Sequence, residues 1–369
     1  MKRSLHDPDL SPAEIRELVR RGHDVNGRND EGETPLHVHV RGDVDKVKAL
    51  IEAGADVNLR NKDHWQNDMT VLHAAVEAEN PEAVKAVLAA GADVEATYSG
   101  THRFTDGSSC TYTANALHDA SSRSSPEVVK LLIDAGANVE SRIDRRTTPL
   151  LRAASACEPE NIHLLLSAGA KVNVRDERGF SALHYAVREL PHSGLPDEEN
   201  TKAVEAIIRS GADVNSIDAD GNTPLHLAID DPSIAKLLIS SGADVLAKNA
   251  KGKTPLHLAV LGTDDPSMAE LLISSGADVL AKNANGNTPL HYAIDGPSIT
   301  QLLIKSGADV FAKNAEGETP IDIARKQGGA ALEVLQSVER HKDLGKQWDR
   351  HVPEPTPTPA PVSRGRDRW

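Results

Sequence analysis

Three residues that could hold a metal stand four apart in one stretch, His102, Asp106 and Cys110. Imidazole, carboxylate and thiolate are all zinc donors. A closed zinc site takes four ligands, however, and one His with one Cys in a single loop falls short of it, so no metal site is expected. Seven other histidines, His37, His73, His118, His184, His226, His257 and His291, each take the fourth place of a Thr-Pro-Leu-His-like tetrad. Their spacing reflects architecture, not convergence on a substrate. The sequence holds no Gly-rich phosphate loop with Lys, no H-E-x-x-H pair and no Gly-x-Ser-x-Gly elbow. The expectation is a non-enzyme with no catalytic residue and no cofactor.

Recognition chemistry is better represented. The chain has ten Phe, Trp and Tyr residues, and four of them, Trp65, Tyr98, Phe104 and Tyr112, fall in one short region. Arg142, Arg145 and Arg146 follow closely. Exposed aromatics and arginines dominate binding hot spots, so these seven residues are the expected partner-binding set. A competing reading lets the segment around Tyr98 to Tyr112 fold over neighbouring helices as a compact loop that buries its own rings.

The elements that position these residues come from a tandem array. The tetrads begin at Thr34, Thr70, Asn115, Thr148, Ser181, Thr223, Thr254, Thr288 and Thr319, and a Gly-Ala-Asp-Val-like tetrad follows each about twenty residues later. The intervals are 36, 45, 33, 33, 42, 31, 34 and 31 residues. In Thr254-Pro255-Leu256-His257 the Thr caps free helix amides, and Pro at the first helical position gives up a donor that had no partner. A second helix follows at Pro266, with Met268, Leu271, Leu272 and Ile273 as its apolar stripe and Gly276 as its stop. Ser11 and Glu14 form a capping box before a lone leading helix.

That period and the T-P-L-H-x-A pattern resemble ankyrin repeats. The resemblance covers residues 11–346. It implies an all-α repeat solenoid of about nine repeats plus an N-terminal capping helix, each repeat a pair of antiparallel helices with a β-hairpin finger. It also implies a protein-binding role through finger tips and first helices, and a His that hydrogen-bonds the neighbouring repeat's backbone. Leu151 and Asp322 stand where two repeats should carry that His.

Departures from the pattern cluster. Six repeats carry a glycine two residues before the Thr station, whereas the second, third and fourth carry Asp68, Thr113 and Arg146. The same fingers hold extra chain, around 64–69 and, more substantially, between Ala96 and Ala114. Long loops on a rigid scaffold often carry function. A further insertion, 190–200, reads as tolerated surface growth. Residues 1–10 are expected to be a flexible start and 347–369 a Pro-rich tail without a packed core.

Composition bounds the function. A formal charge of −14 disfavours nonspecific nucleic-acid binding. No apolar run is long enough to span a membrane and no hydrophobic leader precedes the array, so a cytoplasmic protein without membrane association is expected. Cys110 and Cys157 give no disulfide framework. Array folding needs no second copy, so a monomer is expected. The functional expectation is an adaptor or scaffold that binds a protein through fingers two to four and the concave helices. The alternative is an inhibitor, immunity or host-directed effector protein that occludes a partner's active site.

Overall fold

The computed structural model describes residues 4–61, 68–103, 109–123, 125–188 and 197–349. The chain forms two compact units, one of residues 1–259 with 271–277 and one of 260–270 with 278–369.

The first unit opens with α1 (Pro12–Arg20), whose Ser11–Glu14 capping box is formed in full. Helix pairs follow: α2 (Pro35–His39) with α3 (Val44–Glu52), then α4 (Val71–Glu77) with α5 (Pro81–Ala89). The hairpin β1 (Thr97–Arg103) and β2 (Ser109–Asn115) precedes α6 (Ala116–Ser121) and α7 (Pro126–Asp134). Next come α8 (Pro149–Ser155) with α9 (Pro159–Ser167), α10 (Ala182–Arg188) with α11 (Asp197–Arg209), and α12 (Pro224–Leu227) with α13 (Pro232–Ser240). The short α14 (Pro255–Ala259) follows, and of α15 (Ser267–Ser274) residues 271–274 belong to this unit. Insertion residues 190–196 lie outside the described residues.

Local chemistry explains the repetition. At Thr70 the hydroxyl lies 2.8 Å from His73 Nδ1 and the backbone N–H donates to the same nitrogen at 3.3 Å. The imidazole thus takes the place that Glu or Gln holds in an ordinary capping box. Thr223 with His226 and Thr288 with His291 repeat the arrangement. The second helices bury a narrow stripe, such as Val128, Val129 and Leu132 of α7. They end in a left-handed glycine: Gly54 has φ +93°, its N–H donates to Ile51 at 3.0 Å, and Ala55 N–H donates to Leu50 at 3.0 Å. This is the two-bond Schellman stop, and any side chain at Gly54 would strain it.

Successive layers are tied twice. His37 Nε2 donates to the Met69 carbonyl at 3.2 Å, His118 to Thr147 at 3.2 Å, His184 to Asn222 at 3.0 Å and His226 to Lys253 at 3.0 Å. A carbonyl only accepts, so each of these rings carries a proton on Nε2; at His184 and His226 the backbone N–H of the cap donates to Nδ1 at 3.2 and 3.1 Å, which fixes the neutral tautomer there. Near the stop glycines runs a second ladder. Asn58 donates to the Gly91 carbonyl at 3.2 Å and accepts from Asp93 N–H at 2.8 Å, and Asn173 and Asn215 do the same one layer on. Glu95 and Glu140 substitute as acceptors, taking Asn138 N–H at 2.7 Å and Lys171 N–H at 2.8 Å. Leu246 stands at the next such station and is half exposed.

Residues 4–10, expected to be flexible, are folded instead. Leu5 and Leu10 are buried, His39 Nε2 donates to the Leu5 carbonyl at 3.0 Å, and Lys46 donates to the Pro8 carbonyl at 2.6 Å. Two apolar side chains and buried His39 anchor this strap, a feature invisible to composition because the segment is otherwise polar.

In the second unit, α16 (Pro289–Tyr292) and α17 (Pro297–Lys305) are followed by α18 (Pro320–Gln327) and α19 (Leu332–Asp349). His291 Nε2 donates to the Glu318 carbonyl at 3.3 Å. Asp322, which replaces His at its station, keeps the capping function alone by accepting from Thr319 N–H at 3.0 Å and its hydroxyl at 2.7 Å. The final helix runs to Asp349, into the first residues of the stretch expected to be tail. Among the described residues no helix is long and apolar enough to cross a membrane.

Candidate partner-binding site

The extra chain in the third finger forms a sheet. β1 and β2 pair antiparallel from Thr97 with Asn115 to Arg103 with Ser109. Among the described residues this is the one multi-residue sheet; neighbouring fingers reduce to a bridge, Arg60 with Thr70 and Ile143 with Thr147. Asn115 ends β2 and at once caps α6, accepting His118 N–H at 3.1 Å, so the hairpin is joined rigidly to a helix start. Gly100 lies under the Tyr112 ring: a Cβ there would come within 2.5 Å of it. The absent side chain is what lets the ring lie across the strand.

Tyr98, expected on an exposed finger, is only 6% exposed. Its ring meets His73 edge-on at 4.7 Å and Tyr112 at 6.0 Å. With Met69 and Ala114 it forms a small apolar cluster against which Tyr112 and Ile143 pack. Its hydroxyl hydrogen-bonds Asp119, and burial pushes the Tyr98 phenol above its ordinary range and the Asp119 carboxyl upward as well. Tyr98 therefore supports the hairpin from below, while Tyr112 is half-buried and reaches the surface. Trp65, Phe104 and Asp106 lie outside the described residues. The backbone register sets His102 opposite Cys110.

Insertion of this aromatic pair changes the latch beneath it. His73 Nε2 is buried without a hydrogen-bond partner, in contrast to the neighbouring stations. Burial lowers the His37, His73 and His118 pKa values to about 4, so these rings stay neutral through the physiological range.

Arg142, Arg145 and Arg146 are all exposed. Arg145 and Arg146 have φ of +54° and +61°. Other fingers use glycine near this turn, and a non-glycine residue held left-handed costs about 1 kcal/mol or more. The turn is fixed from both sides: Asp144 accepts the Thr113 N–H of β2, and the Arg145 carbonyl accepts Glu177 N–H at 2.9 Å. Two guanidinium groups are thus displayed at the expense of backbone strain. Replacing Arg146 with Gly should raise stability by about 1 kcal/mol and weaken partner binding at once. A urea titration measures the first effect; a loss of stability would show that the turn is not strained.

Beside Arg142 an open hollow of about 670 Å³ is lined by Lys171, Asn173 and Arg175 with Val172 and Val174. This local basic character contrasts with the acidic chain. A further cluster went unread in the sequence: Tyr185 donates to Asp176 at 2.8 Å, Arg178 donates to the Tyr185 oxygen at 3.3 Å, and Arg178 lies 4.6 Å over the Phe180 ring. The signal was available, since Arg178, Phe180 and Tyr185 fall within eight residues, but reading it required knowing that finger and first helix fold back together.

The family described as "Ankyrin repeats (3 copies)" matches residues 11–98, 117–196, 196–283 and 262–344. The chain belongs to the ankyrin-repeat family. It is 34% identical over 89 residues to the putative ankyrin repeat protein FPV244 of fowlpox virus (strain NVSL), a match spanning 24% of this chain and 12% of that protein. Ankyrin repeats are generally protein–protein interaction modules and typically non-enzymatic. The first family match stops at Tyr98 and the next begins at Leu117, so residues 99–116, most of the hairpin, fall between them. The segment between the matches carries Tyr112, and Tyr98 stands at its edge.

Proposed function

We propose that this protein is an adaptor or scaffold, a monomer in the cytoplasm, that docks a protein partner on the third and fourth fingers and the first helices beside them. The observation that carries the reading is the strained pair Arg145 and Arg146, whose exposed guanidinium groups occupy a turn where glycine would be easier. Tyr112 and Arg142 extend the surface, and Trp65 and Phe104 belong to the same sequence region. Tyr98 acts indirectly, by holding the hairpin in place. Arginine with aromatic neighbours is the composition expected of an interface centre.

Affinity capture with mass spectrometry tests this, comparing the intact chain with an Arg142→Ala/Arg145→Gly/Arg146→Gly variant. The expected result is a protein captured by the intact chain and lost from the variant, which should fold at least as stably. Partners retained by the variant would refute the assignment. A captured enzyme whose activity falls stoichiometrically would convert the adaptor reading into that of an inhibitor.

A further inference from the structure

Between the hairpin and the successive first helices lies a cleft of about 360 Å³. Met69, Tyr98 and Tyr112 form one side. The other carries Glu77 of α4, Asp119 of α6, Ser122 and Arg123 just beyond α6, and Arg152 of α8. This cleft exists because the third finger is long enough to overhang these residues.

Its charge pattern is unlike the stations around it. Asp119 and Arg152 occupy the fourth position after their helix caps, where other helices carry Leu227, Leu258 and Ile323. Opposite charges on adjacent layers would ordinarily pair, yet no ion pair joins them. Asp119 is bonded by Tyr98, and Arg123 makes a 3.7 Å ion pair with Glu79. Arg152 Nε is buried and has no hydrogen-bond partner. A buried donor left unpaired is unfavourable, and a ligand acceptor that draws the Arg152 side chain toward the cleft would relieve it.

The ligand's chemistry follows from what the walls would repel. An added carboxylate would satisfy Arg152 but lie against Asp119 and Glu77. An added ammonium would meet those carboxylates but lie against Arg152 and Arg123. A neutral group carrying both an acceptor and a donor suits the whole lining, and a primary carboxamide has both on one planar end. We infer that the cleft is a specificity subsite for an asparagine or glutamine side chain of the docked protein, its carbonyl accepting from the Arg152 guanidinium and its NH₂ donating to Asp119 or Glu77. The inference rests on the docking surface proposed above and adds what that surface selects.

The test uses the full chain as bait for a library of random heptapeptides displayed on phage, followed by titration of the enriched peptides as synthetic compounds. Leucine is native to the Arg152 station in two other helices, so Arg152→Leu should fold, and circular dichroism on heating verifies it. Asp119→Asn retains an acceptor for Tyr98. The expected result is enrichment of Asn or Gln at one fixed position, with affinity about tenfold weaker on Arg152→Leu and selectivity for the amide reduced on Asp119→Asn. Enrichment of Asp or Glu, or of Lys or Arg, at the Arg152-dependent position would overturn the amide assignment. So would the absence of any Arg152-dependent peptide, the outcome expected if the cleft holds water alone. Peptides lost with Arg145→Gly/Arg146→Gly but insensitive to Arg152→Leu would leave the docking surface standing and refute the subsite.

Discussion

Replacing Tyr98 with alanine is expected to destabilise the first unit by about 3–5 kcal/mol, the range for deleting a buried aromatic side chain. The ring lies between His73, Met69, Ala114 and Tyr112, so its removal opens a cavity beneath both strands. Loss of the hydroxyl's bond also leaves Asp119 without its tyrosine partner. The damage should be local at first, because each layer of a repeat array contacts chiefly its neighbours. Amide exchange in β1 and β2 should accelerate before that of α12 and α13. Tyr98→Phe, which retains the ring, should cost about 1–3 kcal/mol through the lost hydrogen bond. A urea midpoint unchanged in Tyr98→Ala would contradict the buried placement. The consequence for function is practical: lost binding in a Tyr98→Ala variant reports on folding, whereas loss on mutating Arg145 and Arg146 reports on contact.

Acidification should unfold the array through its latch histidines. His37, His73 and His118 have pKa values of about 4 in the folded chain against 6.5 for the free side chain. Desolvation is the largest cause in each. Below pH 6.5 the unfolded imidazoles take up protons that the folded rings refuse until about pH 4. The unfolded state therefore binds more protons in that window, and stability falls as pH falls through it. Each such ring forgoes up to about 3 kcal/mol across the full window. Burial also lowers His184, His226 and His291, which add to the same slope. Urea titrations at pH 7, 6 and 5 should show a progressive drop in midpoint, with a shallower slope in His118→Leu. The rest of the fold tolerates Leu at that station, as Leu151 does. A midpoint constant from pH 7 to 5 would contradict the neutral, buried latch.

Helix starts and stops were legible because each rests on a backbone requirement that few residues meet. Thr with Pro opens a helix at Thr223, and a left-handed glycine closes one at Gly54, whatever the surroundings. The Leu151 and Asp322 exceptions were legible too, and Asp322 proves to keep the cap while giving up the latch to the next layer. The position of Tyr98 was not legible. Alternate residues of a strand face opposite sides, so the sequence placed an aromatic on the finger without saying which side would be covered. The strap at residues 4–10 escaped for a related reason, since two leucines among polar residues gain meaning only when a surface waits to receive them. The Asn ladder was present in the letters, as Asp56-Val57-Asn58 and Asp213-Val214-Asn215, but its function depends on the neighbouring layer's Gly carbonyl. The cleft depended on tertiary placement most of all: Glu77, Asp119 and Arg152 are far apart in sequence and meet only because repeats place equivalent stations side by side.

Hydrogen–deuterium exchange on the intact chain, alone and with its captured partner, tests the docking surface most directly. Protection is expected to concentrate at 97–115 and 142–147, with α4, α6 and α8 protected at their exposed ends. Protection confined to 278–349, with the hairpin and the Arg145 turn unchanged, would contradict it.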